Sequence, residues 1–354
     1  MQNSASATAS PKACEYPFYY SHIATNGDVF TCCPAWCNHY SFGNILKEPF
    51  EQIWNGEKAQ IFRNNILNGD YSICNLDVCR HKFYYTSDDI RKKFFNKNLV
   101  IPPSAIDVSH DPECNAACVI CRDSLHRNTP EEKKRVDLIT SRLVGIIEHC
   151  KILHVSGYGD PFGSRAYSKL IKEAARRSPS IRFNLVTNGL LLTEAMAKRL
   201  NIENRINAVF LSLHATTEET YNAIVKHSNY KKVLANLAWL AEQKKNGSLK
   251  TFHIRLVVNE LNYREMPAFV ELAQHYGAIP SFSAYRPGKE SFNKEKYRCV
   301  FNPDHPEYEK FLEVMSHDNL GLPECVFDGP LIRGRKEGLA RQALPRPIEE
   351  QKGG

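Results

Sequence analysis

No apolar run in this chain approaches the ~18 residues that a membrane-spanning helix requires, so nothing in it reads as a transmembrane segment. The start, Met1 to Ser10, lacks the apolar core of a secretory signal. Residues 1–12 therefore read as a disordered leader, and the protein as cytoplasmic. No stripe of basic and aromatic residues points to nucleic acid. What is plentiful is cysteine, with 12 in 354 residues. Without a secretion signal, that number argues against a disulfide framework and for metal binding or redox chemistry. The rest of the composition is ordinary for a soluble globular protein, 42% hydrophobic and 24% charged. A net charge of +7 fits an anionic partner, and equally a solvated basic surface.

Three of the cysteines fall within one short loop, Cys114-Asn-Ala-Ala-Cys118-Val-Ile-Cys121. Thiolates at spacings of four and three can wrap one corner of a cubane iron–sulfur cluster, which cysteine thiolates normally hold. With no fourth cysteine nearby, one iron would stay open to a small molecule. A partial zinc site is the alternative reading.

From about residue 100, short β-branched runs alternate with amphipathic helices. Candidate strands are Ala105–Ser109, Ile152–Ser156, Arg182–Thr187, Ala208–His214, His253–Val258 and Ser281–Tyr285. Thr129-Pro130-Glu131-Glu132 reads as a capped helix start with a capping box, and Thr216-Thr217-Glu218-Glu219 as a second box. Val233, Leu234, Leu237 and Leu240 share one face of a helix that Gly247 stops. Strand–helix alternation implies a parallel sheet with right-handed crossovers, curled as a partial barrel or open. In such barrels the site lies at the carboxyl ends of the strands, and the unusual residues fall there. They are Gly157-Tyr158-Gly159-Asp160, Thr187-Asn188-Gly189, Ser212-Leu213-His214 and Arg255. Each has a plainer reading, as a turn, a backbone hydrogen-bonding group or a surface ion pair.

The cysteine loop, with these segments at successive strand ends, resembles the radical S-adenosylmethionine (SAM) superfamily between about Ile101 and Arg286. The resemblance implies a partial (β/α)6 TIM-type barrel over residues 99–290. It further implies that Cys114, Cys118 and Cys121 hold a [4Fe–4S] cluster whose open iron chelates SAM. Gly157, Gly159 and Asp160 would then hold the SAM amino group, Thr187, Asn188 and Ser212 would lie near the ribose, and Arg255 near the carboxylate. Two positions depart from the family pattern. Ile120 replaces a frequent aromatic, and Asp160 a commoner glutamate of longer reach.

Residues 13–98 hold Cys14, Cys32, Cys33, Cys37, Cys74 and Cys79 around Gly27, with Phe50-Glu-Gln-Ile-Trp54 and Phe62-Arg63 between. This resembles the auxiliary-cluster domains called SPASM and twitch, which usually follow the barrel. It implies one auxiliary [4Fe–4S] cluster on Cys14, Cys32, Cys74 and Cys79, with Cys33 and Cys37 spare or one substituting. A zinc-stabilised small domain is the alternative. Cys150, Cys299 and Cys325 read as packing residues, although Cys299 or Cys325 would be the hydrogen donor of an epimerase. Residues 291–354 form a C-terminal extension, and its tail from Leu331, with six basic and three acidic residues and prolines at 345 and 347, suggests little regular structure.

The expected function is hydrogen abstraction from a substrate C–H bond, for oxidation or epimerisation of a small polar, sugar- or aminocyclitol-like substrate. The alternatives are a peptide-modifying maturase and a non-catalytic iron–sulfur or zinc scaffold. An electron donor such as flavodoxin or ferredoxin is implied, with no nucleic-acid or membrane partner. His214 is the candidate proton acceptor, or else a hydrogen-bonded spacer, and Tyr285 and Arg286 are candidates for handling substrate.

Overall fold

A computed structural model describes residues 10–77, 79, 85–155, 157–285 and 299–342. The expected leader up to residue 9, Ser156, Arg286 and the end of the tail lie outside the described residues. The chain is a mixed α/β protein dominated by parallel strands, and it divides into two compact units.

The first unit takes in residues up to Cys114, Arg127–Val186 and Ala195–Asn207. Its strands are β1 (Tyr20–Ile23), β2 (Asp28–Phe30), β3 (Gly43–Asn44), β4 (Ala105–Val108), β5 (Ile152–Val155) and β6 (Arg182–Thr187), in spatial order β6-β5-β4-β1-β2-β3. The pairs from β6 to β1 are parallel, and β2 and β3 continue as an antiparallel meander. The N-terminal cysteine-rich segment thus adds β1 to the edge of the strand–helix sheet, with Tyr20 beside Ala105. One face is largely apolar, built from Ile106, Val108, Leu153, Val155, Phe183 and Leu185. Helix α3 (Pro130–Ile146) buries Val136, Ile139, Leu143 and Ile146, a helical spacing, after a Thr129 capping box formed as the sequence suggests. Helix α4 (Arg165–Arg177) is capped by Ser164.

Helix α1 (Glu57–Leu67) carries Arg63 into the N-terminal core, where it is only 2% exposed. Its Nε donates to the Pro17 carbonyl at 2.7 Å and its Nη1 to the Trp54 carbonyl at 2.5 Å, while the guanidinium lies 4.1 Å from the Trp54 ring. Trp54 in turn donates from Nε1 to the Ile101 carbonyl at 2.8 Å, tying the segment to the approach of β4. Burial lowers the Arg63 pKa to about 9, which leaves it cationic at neutral pH. Helix α2 (Ser87–Phe94) and helix α5 (Glu194–Leu200) complete the unit's longer helices.

The second unit takes in Asn115–His126, Thr187–Glu194 and the chain from Ala208. Strands β7 (Ile206–Ser212), β8 (Thr251–Val258), β9 (Ile279–Ala284) and β10 (Val326–Phe327) lie parallel in that order. Burial alternates strictly along β8, with Phe252, Ile254, Leu256 and Val258 on the buried face and His253 and Arg255 on the other. Its helices are α6 (Glu218–Ile224), α7 (Tyr230–Lys245), α8 (Met266–His275), α9 (Tyr308–Met315) and α10 (Gly329–Gln342).

Two local expectations change. The second capping box does not form, because the residue three beyond the Thr217 cap is Thr220. Thr217 caps the helix alone, its hydroxyl accepting from the Thr220 amide, and the Glu265 carboxylate accepts from both the Thr216 and the Thr217 hydroxyls, at 2.9 and 2.8 Å. The stretch from Leu331 is helical as far as Gln342 rather than irregular. Gly334 lies against the Phe311 ring and Gly338 against the Leu312 carbonyl, approaches that a Cβ would block, so small residues let α10 pack onto α9. Among the described residues no helix is long and apolar enough to cross a membrane.

Arg63→Ala removes two hydrogen bonds and a ring contact from a buried site. It should cost about 3 kcal/mol or more, seen as a lower urea midpoint, and an unchanged midpoint would contradict this account of the N-terminal core.

Candidate functional site

The cysteine loop is held along its backbone. Ala117–Cys118 pairs antiparallel with Val225–Lys226, the residues that end α6, and the Val119 amide donates to the Ile224 carbonyl at 2.9 Å. The Cys121 and Arg122 amides fold back onto the Cys118 carbonyl, at 2.8 and 2.9 Å. Cys118 is half-buried and Cys121 exposed. Asn115, next to the first cysteine, exchanges amide hydrogen bonds with Asn188. Asn188 Nδ2 donates to Asn115 Oδ1 at 3.0 Å, and the reverse bond is 3.4 Å. Asn188 Oδ1 also accepts from the Leu190 amide, and the buried Asn236 of α7 donates to the Gly189 carbonyl at 2.7 Å.

In the first unit, the approach to Cys114 turns on Asp111, 1% exposed. Its carboxylate accepts from the Glu113 amide, from Asn128 Nδ2 at 2.8 Å and from the Ser164 hydroxyl at 2.5 Å, and its own amide donates to the Tyr167 hydroxyl. These bonds fix the backbone immediately before the first thiol.

Gly157 and Gly159 run against this same approach. A Cβ on Gly159 would meet the Asp111 and Glu113 carbonyls at 2.4 and 2.3 Å, and one on Gly157 (φ +99°) would meet the Ser109 hydroxyl. Their lack of side chains is thus already required by the packing. Asp160 is 1% exposed, its Oδ1 accepting from the Phe162 and Gly163 amides in a turn that leads to the α4 cap. Thr187 Oγ1 accepts from the Gly189 amide at 3.1 Å. In the second unit, Ser212 and Arg255 stand side by side in register, with Ser281 on the other flank. The Arg255 guanidinium lies 4.3 Å from the Phe210 ring, and burial lowers its pKa to about 10.

Cys14, Cys32, Cys74 and Cys79 line one recess with Tyr16, Trp36, Phe62, Ile66, Tyr71 and Leu76. The Asn75 amide donates to the Trp36 carbonyl at 2.8 Å, joining the two cysteine-bearing turns. Cys37 stands behind, hydrogen-bonded to the Cys32 thiol, and neither it nor Cys33 lines the recess. Burial pushes the Cys14 thiol up, the hydrogen bond with Cys37 and then burial raise the Cys32 thiol, and burial with its neighbours' charge brings the Cys74 thiol to about 11. Thiolates in such surroundings need a compensating cation, and the donor set suits iron. Among the described residues no three His, Cys, Asp or Glu side chains converge on a single-ion site. A cubane offers four irons to four separate thiolates, so a wider ring of donors fits it.

Residues 108–273 match the family model described as the radical SAM superfamily, and residues 14–81 match SPASM, an iron–sulfur cluster-binding domain. The chain belongs to the radical SAM superfamily and carries an N-terminal SPASM domain. Its radical SAM core binds a [4Fe–4S] cluster and SAM, and its SPASM domain binds auxiliary iron–sulfur clusters. Among curated proteins it is similar to the mycofactocin maturase of Mycolicibacterium smegmatis, 26% identical over 178 residues that cover 49% of this chain and 42% of the relative. The GTP 3',8-cyclase of Chlorobaculum tepidum is also 26% identical, over 179 residues covering 49% of this chain and 51% of the relative. The match therefore spans about half of these relatives' length. A solved structure described as native anSMEcpe with bound AdoMet and Cp18Cys peptide is 22% identical, covering 60% of this chain and 58% of that one, with a TM-score of 0.41.

His214, at the end of β7, has a left-handed backbone (φ +68°) and is 5% exposed. Its Nδ1 accepts from the Val257 amide at 3.2 Å, its carbonyl accepts from Asn262 Nδ2 at 2.9 Å, and burial lowers its pKa to about 4. One ring nitrogen is thus committed to the backbone. Tyr285 is 2% exposed, and its hydroxyl is buried without a partner among the described residues. Cys150, Cys299 and Cys325 each lie against backbone carbonyls. Reading the sequence missed Asp111, Asn115 and Asn236, whose partners are far away along the chain.

Cys74→Ala should lower iron from about eight to about four per chain, while Cys37→Ala leaves it near eight; equal loss in both would contradict the four-cysteine assignment. A second expectation concerns acid. Burial holds His110 and His214 near pKa 4, against 6.5 for an ordinary histidine. Between those values only the unfolded chain takes the proton, so stability is full above pH 6.5 and falls as pH drops toward 4. Each contributes on the order of 3 kcal/mol across that window. His110→Gln should flatten the pH dependence of the denaturation midpoint between pH 6.5 and 4, and an unaltered slope would contradict it.

Proposed function

We propose that this radical SAM enzyme abstracts hydrogen from a C–H bond of a small polar, sugar- or aminocyclitol-like substrate, for oxidation or epimerisation. The observation that carries the radical step is the loop of Cys114, Cys118 and Cys121, braced by strand pairing and by the Asn115–Asn188 amides. Three thiolates there leave one iron for SAM. When bound, the cluster and SAM supply a 5'-deoxyadenosyl radical that takes the substrate hydrogen.

This chain's side chains bind and orient. Arg255 presents a desolvated cation between Ser212 and Ser281, suited to a carboxylate such as that of SAM. Thr187 and Asn188 keep the adjoining turn in place, and Asn188 acts on the cysteine loop rather than as an open donor. The polar substrate is supported by hydroxyl side chains on the half-buried face of the second unit's sheet, such as Ser212. An electron donor of flavodoxin or ferredoxin type completes the system. A peptide substrate is the second reading, favoured by the similarity to mycofactocin maturases.

Anaerobic protein given SAM and a strong reductant should form 5'-deoxyadenosine; none formed with intact clusters would overturn the radical assignment. Candidate substrates are then incubated in deuterated buffer and read by mass spectrometry. Loss of two hydrogens from an aminocyclitol indicates oxidation and deuterium uptake without loss indicates epimerisation. Either change on a peptide alone would replace the small-substrate reading.

A further inference from the structure

Beside the SPASM cysteines lies a buried hydroxyl with nothing to bond. Thr31, the residue before Cys32 and just past the end of β2, lines the recess of Cys14, Cys32, Cys74 and Cys79. It is fully buried, and its hydroxyl has no hydrogen-bond partner among the described residues. The other hydroxyls of the recess are engaged. That of Tyr71 accepts from the Cys14 amide at 3.2 Å and donates to the Lys12 carbonyl at 3.4 Å, and that of Tyr16 bonds the Tyr19 hydroxyl. Pro17, Trp36, Phe62, Ile66 and Leu76 make the rest of the wall largely apolar.

A hydroxyl buried without a partner costs about 1–3 kcal/mol. Valine has nearly the same shape, suits the end of a strand equally well and carries no such cost. Packing alone therefore favours valine at this position, and threonine is the better residue only if an acceptor enters the recess. A cubane on the four cysteines brings such acceptors, its sulfides and the thiolates that hold it. Hydrogen bonds to these sulfurs are among the factors that set a cluster's reduction potential. Reduction adds negative charge to the cluster, so a donor bonds the reduced form more strongly than the oxidised one. Apolar walls enlarge that difference, because little else screens it.

We propose that the Thr31 hydroxyl donates a hydrogen bond to a sulfur of the auxiliary cluster and so raises that cluster's reduction potential. Thr31 acts through the cluster and is not one of its ligands, so its loss changes the potential and leaves the iron in place. The inference rests on the placement of the auxiliary cluster on Cys14, Cys32, Cys74 and Cys79, and it is independent of the substrate.

The test is an anaerobic redox titration read by electron paramagnetic resonance, on the full chain with both clusters loaded and on Thr31→Val and Thr31→Ser. Iron and sulfide are counted in each sample, and Cys74→Ala identifies the auxiliary signal by its loss. Thr31→Val should keep about eight irons per chain. Its auxiliary midpoint should move to more negative potential, by about tenfold in the one-electron equilibrium or ~59 mV, while the midpoint of the SAM-binding cluster stays where it was. Thr31→Ser restores the hydroxyl and should recover most of the shift. An auxiliary midpoint unchanged in Thr31→Val would leave the hydroxyl a bare packing defect and overturn the inference. So would equal shifts of both clusters, a Thr31→Ser midpoint that matches Thr31→Val, or auxiliary iron lost from both variants. If the unaltered protein shows no signal that Cys74→Ala removes, the placement of the auxiliary cluster fails first and takes the inference with it.

Discussion

A short loop carrying three thiols holds a cubane at lower cost when its backbone is already fixed, because ordering each loop residue costs about 1–2 kcal/mol of entropy. Here the fixing comes from both sides of the first cysteine. Asp111 gathers the Glu113 amide, the Asn128 side chain and the Ser164 hydroxyl just before Cys114. Asn115 is clamped to Asn188 just after it, and Cys118 is tied by strand pairing to Val225. The backbone on each side of Cys114 is thus fixed within its own unit, while Cys121 remains at the surface.

The same economy governs the strand ends. Glycines at 157 and 159 serve first to let the chain pass against the Asp111–Glu113 backbone, and Asp160 first satisfies two amides of the following turn. Residues that a motif would assign to a ligand are thus also the ones that shape the loop. In the N-terminal region Arg63 plays a comparable part, its guanidinium bonding the Pro17 and Trp54 carbonyls from within an aromatic shell. Pro17, whose carbonyl Arg63 holds, also lines the recess of the SPASM cysteines.

Much of this was legible in the sequence, because the signals were local. The parallel strands announce themselves as short β-branched runs, the Thr129 box as a four-residue pattern, and the cysteine loop by its spacing. Long-range partners were not legible. Glu265 holds the Thr217 hydroxyl from 48 residues away, and Asn188 reaches Asn115 across 73. Nothing near Tyr20 tells that β1 will pair with β4, since that depends on register with a strand more than 80 residues on. The prolines beyond the tail helix hid a helix whose glycines pack on α9, because glycine counts against helix until a close neighbour requires it.

We propose that Cys114, Cys118 and Cys121 together hold one cubane, distinct from the SPASM cluster, whose remaining iron takes SAM. The most direct measurement is electron paramagnetic resonance of the reduced protein with and without SAM, on the unaltered chain and on Cys118→Ala. The account predicts two cluster signals, one of which shifts when SAM is added, and in the variant a single signal that SAM leaves unmoved. A SAM-sensitive signal that survives in Cys118→Ala would contradict it.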